Sequence, residues 1–195
     1  MTALGNTQKK YTYDDYKTWD DEQRVELIDG IVYAMSAPSQ SHQRVLSKIA
    51  RRFGNYLEGK SCEVFQSPSD VRLNYDKEDN TVVQPDMFVV CNKSKLDGQN
   101  CNGAPDLVLE VLSPSTKRKD EIVKLNKYIG AGVKEYWIVH PEEKIIYIYA
   151  PNGKFDMKAY TLSDDKEGAF EPGTIIKVGI LEGLEIDLKD IFAEV

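Results

Sequence analysis

The spacing of apolar residues predicts a long amphipathic helix preceded by a strand pair. Val45, Ile49 and Phe53 recur at helical intervals, and Gly59 lies where such a helix would end. Before the helix, two short apolar runs flank Asp29-Gly30, a dipeptide typical of a tight hairpin turn. The N-terminal third therefore combines a β-hairpin with a helix of about four turns.

The rest of the chain alternates short apolar runs with polar breaks that contain glycine or proline. The runs predict strands at residues 62–66, 70–73, 87–91, 106–112, 134–139, 145–149, 155–162, 175–178 and 184–188. We interpret residues 13–19 as a short helix, 92–104 as a polar loop and 190–192 as a terminal turn.

Between the strands at 106–112 and 134–139 the pattern becomes helical. Ile122, Leu125 and Ile129 lie on one face of the predicted helix. A strand, a helix and a strand at this spacing form a βαβ unit with parallel strands and a right-handed crossover. The sequence thus predicts an α/β (α+β) fold with a mixed sheet. We expect one domain over residues 1–195, with a core at about 13–150 and a C-terminal β extension at 151–195.

Composition and charge restrict the class of protein. With 41% hydrophobic residues among 195, the chain can bury one sizeable core. No apolar stretch is long enough to span a membrane, and the first residues lack the apolar segment of a signal peptide, so we expect a cytoplasmic protein. The net charge of −7 disfavours a protein that coats nucleic acid by charge alone, but it is compatible with a nucleic-acid enzyme.

The three cysteines give no sign of a zinc site. Cys62, Cys91 and Cys101 form no CxxC pair, and their odd number leaves at least one unpaired. We interpret them as buried or incidental thiols of a protein in a reducing compartment.

Two carboxylates within or beside apolar runs indicate chemistry. Asp86 directly precedes the predicted strand at 87–91, and Glu110 lies inside the strand at 106–112. A buried ionised carboxylate is costly unless a hydrogen bond, a cation or a metal compensates it. If the two strands pair in antiparallel fashion, Asp86 and Glu110 can converge on one Mg²⁺ or Mn²⁺ ion. The backbone carbonyl of Val111 and water would complete its octahedral shell.

Lys124 is our candidate for the group that stabilises developing charge or orients an attacking water. It follows Asp120 by four residues on the predicted crossover helix, where the aspartate would hold the ammonium in place. An ordinary exposed ion pair explains the same spacing. His42 is a weaker candidate, because its place at the start of the long helix suits either the edge of the core or the active site.

Five segments of the chain together resemble a known family. They are residues 25–30, 84–86, 104–116, 120–128 and 132–139. These segments are similar to the putative-restriction-endonuclease family within the PD-(D/E)XK nuclease superfamily, over roughly residues 13 to 150. The resemblance implies a restriction-endonuclease-like core, in which helices flank a central mixed β-sheet, with added N- and C-terminal β-hairpins.

The resemblance also implies roles for individual residues. It makes Asp86 the aspartate of the PD element and Glu110 the acid of the (D/E)XK element, both as metal ligands, and Glu26 an additional acid near the site. The lysine of the superfamily normally stands two residues after the second acid, but that residue here is Leu112, which cannot stabilise an anion. The resemblance therefore points to a lysine relocated to the following helix, at Lys124.

Two hypotheses for function follow. The resemblance implies a Mg²⁺- or Mn²⁺-dependent endonuclease that hydrolyses DNA phosphodiester bonds through a metal-activated water, and a homodimer is compatible with cutting both strands of a duplex. The alternative is a catalytically weak or inactive module that binds nucleic acid or a protein partner. The acidic charge and Leu112 favour the module. Asp86, Glu110 and Lys124 favour the enzyme, because a purely structural core would be stable with apolar residues there.

Overall fold

The computed structural model describes residues 9–19, 24–75, 77–113, 119–151, 155–162 and 173–194. Its helices are α1 (Tyr13–Tyr16), α2 (Gln40–Leu57), α3 (Leu125–Ala131) and α4 (Leu188–Phe192), with a 3₁₀ turn at Lys93–Lys95 and a π-helical segment at Lys119–Lys124. Its strands are β1 (Val25–Ile28), β2 (Ile31–Ala34), β3 (Glu63–Gln66), β4 (Asp70–Arg72), β5 (Val82–Val83), β6 (Met87–Val90), β7 (Asn100–Asn102), β8 (Leu107–Val111), β9 (Glu135–His140), β10 (Ile145–Pro151), β11 (Phe155–Thr161), β12 (Ile175–Lys177) and β13 (Glu185–Asp187).

A mixed sheet of six strands carries most of the core. Its strand order is β11-β10-β9-β8-β6-β3, and β8 pairs with β9 in parallel while the other neighbours are antiparallel. The parallel pair with α3 between its strands is the predicted βαβ unit. The antiparallel pairing of β6 with β8 is the arrangement that brings Asp86 and Glu110 close together. The mixed α/β prediction is therefore confirmed.

Alternation along β8 gives the six-stranded sheet two different faces. Leu107, Leu109 and Val111 point to an apolar cluster that contains residues of α2, α4 and the β12–β13 hairpin. Val108 and Leu112 point to a second cluster, which contains residues of β1, β4, β5 and α3. Glu110 shares this second face, because it lies between them in the alternation.

A second sheet covers part of that face. Its order is β2-β1-β5-β4-β7. The predicted hairpin joins β1 to β2, with Asp29 and Gly30 at positive φ of 52° and 79°. A Cβ at Gly30 would lie 2.9 Å from the Cβ of Lys10, so this turn requires glycine. The N-terminal hairpin is thus part of a sheet.

The prediction of a polar loop at 92–104 is wrong in part. Its residues Asn100–Asn102 form β7, which pairs in parallel with β4. Two of the three residues are asparagines, which are uncommon in strands, and Cys101 alone supplies a buried apolar side chain. The strand is formed by backbone pairing, and side-chain alternation does not reveal it.

Two details of the helices also differ from the predictions. Ile122 is 55% exposed, whereas Lys124 and Tyr128 are buried, so the inward face of the crossover helix carries polar groups. Residues 190–192, which we predict as a terminal turn, belong instead to helix α4. Asp187 caps this helix by accepting a hydrogen bond from Lys189 N at 3.0 Å, and Leu188, Ile191 and Phe192 are buried.

The interpretation of the cysteines as thiols is wrong for two of the three. A disulfide joins Cys62 to Cys91. The pairing of β3 with β6 sets Glu63 opposite Val90, which brings the next residues, Cys62 and Cys91, together. Cys101 remains a free thiol, and burial raises its pKa to about 11.

Candidate active site

A cleft of about 130 Å³ lies where the second sheet, the six-stranded sheet and the start of α2 meet. The predicted residues Glu26, Asp86, Glu110 and Lys124 all line it, together with Val111 and His42. Strands β1 and β8, helix α2, the residue before β6 and the π-helical segment supply these side chains. The fold therefore brings together residues that lie up to 98 positions apart in the sequence.

Asp86 and Glu110 are neighbours across two antiparallel strands. Met87 pairs with Leu109, so one step further the register sets Asp86 opposite Glu110. Asp86 Oδ2 accepts a hydrogen bond of 2.8 Å from the backbone N–H of Val111. This bond fixes the aspartate directly to the strand that carries the glutamate.

Lys124 is buried between two carboxylates. Its Nζ lies 2.9 Å from Glu110 Oε1 and 2.7 Å from Glu26 Oε1, and its side chain is 3% exposed. The explanation of Lys124 as an exposed surface pair is therefore wrong. The side chain of Asp120 lies outside the described residues.

Glu26 is connected to the same region through the backbone. It lies on β1 with no solvent exposure, and its Oε1 also accepts a hydrogen bond of 3.1 Å from the N–H of Gln84. Gln84 directly precedes Pro85-Asp86 in the chain. The extra acid named by the resemblance thus contacts both the lysine and the backbone next to Asp86.

Tyr128 is a site residue that the sequence reasoning missed. Its hydroxyl donates a hydrogen bond of 2.8 Å to Glu110 Oε1, and its side chain is fully buried. Burial, and next the negative charge of Glu110, raise the pKa of this phenol well above its usual value, so it remains a donor. The available signal was its position four residues after Lys124, which places both side chains on one helix face.

His42 belongs to the cleft, which decides between the two positions that its spacing allowed. Its Nε2 lies 3.0 Å from Asp86 Oδ2. Ser39 caps α2 by accepting a hydrogen bond from His42 N, which holds the histidine in the first turn. Among the described residues, no atom forms a hydrogen bond with the buried His42 Nδ1.

Comparison with known proteins identifies the family. Residues 13–189 match the model of the family described as "Uma2: Putative restriction endonuclease". The chain belongs to this family. It is also 30% identical over 163 residues to the uncharacterized protein slr1290 of Synechocystis sp.. This match covers 81% of this chain and 84% of that protein.

A solved structure shows the same fold as this Uma2 family member. It is the crystal structure of a putative nuclease belonging to DUF820 from Anabaena variabilis. The TM-score is 0.70 at 19% sequence identity, and the match covers 94% of this chain and 98% of the other. At that level of identity the likeness concerns the fold.

The carboxylates that line the cleft are suitable ligands for a hard divalent cation. Within the described ranges, no group of three or more His, Cys, Asp and Glu side chains could hold a metal ion by itself. Mg²⁺, however, is commonly bound by one or two carboxylates, with water and substrate phosphate as further ligands. Asp86 and Glu110 supply two carboxylates on adjacent strands, and the position of the Lys124 ammonium shows that this cleft stabilises positive charge.

One negative finding concerns membranes. Among the helices that the structure describes, none combines the length and the apolar character that a membrane span requires.

Proposed function

We propose that this chain is a Mg²⁺- or Mn²⁺-dependent endonuclease that hydrolyses phosphodiester bonds of DNA. The observation that supports it is the convergence of Asp86, Glu110, Glu26 and Lys124 in one cleft. Membership in a family described as "Putative restriction endonuclease" supports the same class of reaction.

Asp86 and Glu110 would hold the ion, and the backbone carbonyl of Val111 would be a third protein ligand. A divalent ion bound there would polarise the scissile phosphate and lower the pKa of an attacking water. Asp86 is oriented for this role by two hydrogen-bond contacts to Oδ2, from Val111 N and His42 Nε2. Neither contact involves Asp86 Oδ1, which would be the oxygen that binds the cation.

Lys124 would stabilise the negative charge that grows on the phosphate during attack. Glu26 and Glu110 hold its ammonium in the cleft from two sides, at 2.7 and 2.9 Å, which limits the rearrangement needed during the reaction. Glu26 acts in turn as the residue that positions this lysine. The roles of Glu26 and Lys124 are therefore linked through the contact between Glu26 Oε1 and Lys124 Nζ.

The test uses purified protein with supercoiled plasmid and single-stranded DNA, in Mg²⁺ or Mn²⁺. We expect metal-dependent cutting that falls by at least about 100-fold in Asp86→Ala and in Lys124→Ala. The matched controls are Lys127→Ala, three residues further along in α3 and 34% exposed, and Asp190→Ala, on α4 and outside the cleft. Cutting lost only in Asp86→Ala would contradict the role of Lys124.

The metal site has its own readout. We expect Mg²⁺ or Mn²⁺ to raise the melting temperature of the wild type by binding the folded state, and to do so far less in Glu110→Ala. If wild type binds no divalent ion at millimolar concentration, the catalytic proposal fails.

Leu112 gives specific support to the second candidate, a nuclease-fold module without efficient chemistry. This residue is only 7% exposed, at the position where the superfamily has its strand lysine. Metal binding without cutting of any DNA would favour this module.

The proposed homodimer is tested by sedimentation of the protein with a short duplex. A nuclease that cuts both strands by symmetry predicts two chains for each duplex, and one chain for each duplex would contradict it.

A further inference from the structure

A second, larger cleft adjoins the candidate active site. Its volume is about 560 Å³, and three half-buried aromatic rings line it: Tyr13, Tyr16 and Trp19. Asp70, Gln84 and Asn100 supply polar groups to the same cleft. The proposed hydrolysis uses none of these aromatic rings.

We propose that this aromatic cleft binds one unstacked base of the DNA strand whose phosphate lies in the candidate active site. The inference rests on the proposed function, and it adds a part of the substrate that the site would contact.

The rings form a packed aromatic surface, in which the guanidinium of Arg72 covers one face of Tyr13 at 3.7 Å from the ring centroid. Tyr13 and Tyr16 lie with their centroids 6.2 Å apart at 24°, and Tyr16 and Trp19 lie 5.5 Å apart at 60°. Tyr11 packs its ring edge to face against Trp19 at 5.2 Å, which supports the indole from one side. Stacking on aromatic side chains is the main way in which proteins bind unpaired bases, because every base has a flat face.

Apart from Arg24 and Lys17, of which Lys17 pairs with Asp14, the polar groups of the cleft suit a base better than a phosphate. Asp70 Oδ1 accepts hydrogen bonds from Tyr16 OH at 3.2 Å and from Gln84 Nε2 at 2.9 Å. A carboxylate accepts bonds from the amino and imino groups of a base but repels a phosphate. Asn100 donates from Nδ2 to Tyr13 OH at 3.1 Å, so a side-chain amide lies directly at the rings.

Tyr16 remains a hydrogen-bond donor in this arrangement. Burial, and next the charge of Asp70, raise the pKa of its phenol well above the usual value. Its one O–H is donated to Asp70, so the pair presents acceptor oxygens at the edge of the aromatic surface.

Two residues line both clefts and connect them. Gln84 donates its backbone N–H to Glu26, in the candidate active site, and its side-chain amide to Asp70, in the aromatic cleft. Arg24 lies exposed between the clefts and donates to Gln84 Oε1 at 3.0 Å. A cation at this junction suits the phosphate that joins a bound base to the scissile position.

Tryptophan fluorescence tests the inference directly. The chain has two tryptophans, and Trp137 is fully buried in the core, so a stacked base would quench Trp19 alone. We expect a single-stranded oligonucleotide without divalent metal to quench the emission, and Trp19→Phe to remove that quenching. Trp19→Ala should weaken binding by about ten-fold.

The control ligand is an oligonucleotide of the same length with abasic positions, which keeps the phosphates and removes the bases. Quenching by the abasic strand equal to that by the normal strand would overturn the inference. The control variant is Tyr56→Ala, since Tyr56 lies on α2 and outside the cleft, and it should bind like wild type. An equal loss of affinity in Tyr56→Ala would also overturn it.

The nuclease and the base site can fail separately. Plasmid cutting in Mg²⁺ with no base-dependent quenching would contradict the aromatic cleft alone. Base-dependent quenching with no cutting would support the cleft as a base-binding site and contradict the proposed nuclease.

Discussion

The six-stranded sheet buries one glutamate on each face, and the two are held by different kinds of partner. On β9, Glu135 accepts hydrogen bonds from Trp137 Nε1 at 2.7 Å and Ile180 N at 3.0 Å, both neutral donors. On β8, Glu110 accepts bonds from Tyr128 and from the ammonium of Lys124.

The difference distinguishes a structural carboxylate from the one that we propose to act in chemistry. Burial, the largest effect on Glu135, raises its pKa despite its hydrogen bonds. The hydrogen bond from Ile180 N holds a loop against the sheet. The loop lies so close that a Cβ on Gly179 would be 3.0 Å from Glu135 Oε2. Glu110 instead shares a cation with Glu26 and lines a cleft, so its partner can also interact with a substrate.

The largest effect on this comparison is expected from Lys124→Met. Removing the ammonium leaves Glu26 and Glu110 buried together without a cation, which costs about 3–5 kcal/mol of unfolding free energy in urea denaturation. Lys127→Met, three residues further along in α3, is the control. Its partner Asp29 is 49% exposed, so the cost there should stay below about 1 kcal/mol. Equal losses in both variants would contradict a buried charge cluster.

Asp106→Asn tests a third acid, whose carboxylate accepts hydrogen bonds from a cation and from a backbone amide. Asp106 accepts bonds of 2.7 Å from both Lys134 Nζ and Cys91 N. Burial alone would raise its pKa, but these bonds and the nearby positive charges outweigh burial and lower it. We expect Asn to cost about 1–3 kcal/mol at pH 7, because its amide cannot accept both bonds.

The pH dependence of that cost has a definite sign. Because the pKa of Asp106 is lower in the folded state, its carboxylate stabilises the fold above about pH 3.8, its usual pKa, and the stabilisation is lost as the pH falls further. Urea unfolding at pH 7 and pH 3 should therefore show a smaller difference between wild type and Asp106→Asn at pH 3. A difference that grows in acid would contradict this assignment.

His42→Leu should slow metal-dependent cutting by about ten-fold, or about 1.4 kcal/mol in activation free energy. The substitution removes the contact to Asp86 Oδ2 and leaves the contact from Val111 N. His42→Gln can restore a donor near the position of Nε2, so it should recover most of the rate. If Gln were as slow as Leu, the hydrogen bond to Asp86 would not be the reason for the loss.

The smallest effect on cutting is expected from Glu135→Gln, whose effect lies in the pH dependence of stability. The raised pKa means that the folded state holds the proton more tightly, so this residue lowers stability as the pH rises from about 4.5 toward the folded pKa. Glutamine removes that ionisation, and the stability of the variant relative to wild type should increase over this pH range. Unfolding free energies that run parallel from pH 4 to 7 would contradict it. Cutting activity should be unchanged.

The carboxylates could be predicted from sequence because they depend on strand pairing. Successive side chains of β8 point to opposite faces of the sheet, so Glu110 could be assigned to one face, and an antiparallel neighbour was enough to bring Asp86 beside it. The β1–β2 hairpin could be predicted for a similar local reason, since Asp29 and Gly30 adopt the positive φ that its turn needs.

Apolar periodicity did not predict the polar partners of Glu110: the resemblance pointed to Lys124, and Tyr128 was missed. Apolar periodicity placed Ile122 inside the crossover helix, but this helix packs on the sheet face that carries Glu110, where a cation and a hydroxyl are better partners than isoleucine. The Cys62–Cys91 pairing depends on the register of two strands 29 residues apart, and local sequence does not encode it.

The π-helical segment before α3 has a consequence for finding this site in other sequences. A π turn holds one residue more than an α turn, so the segment Lys119–Lys124 can take up a change of chain length before the helix proper. Lys124 and Tyr128 would keep their four-residue spacing while the distance along the chain from Glu110 changes. A search with a fixed acid-to-lysine spacing would overlook such a site, whereas a search for a lysine near two carboxylates in space would find it.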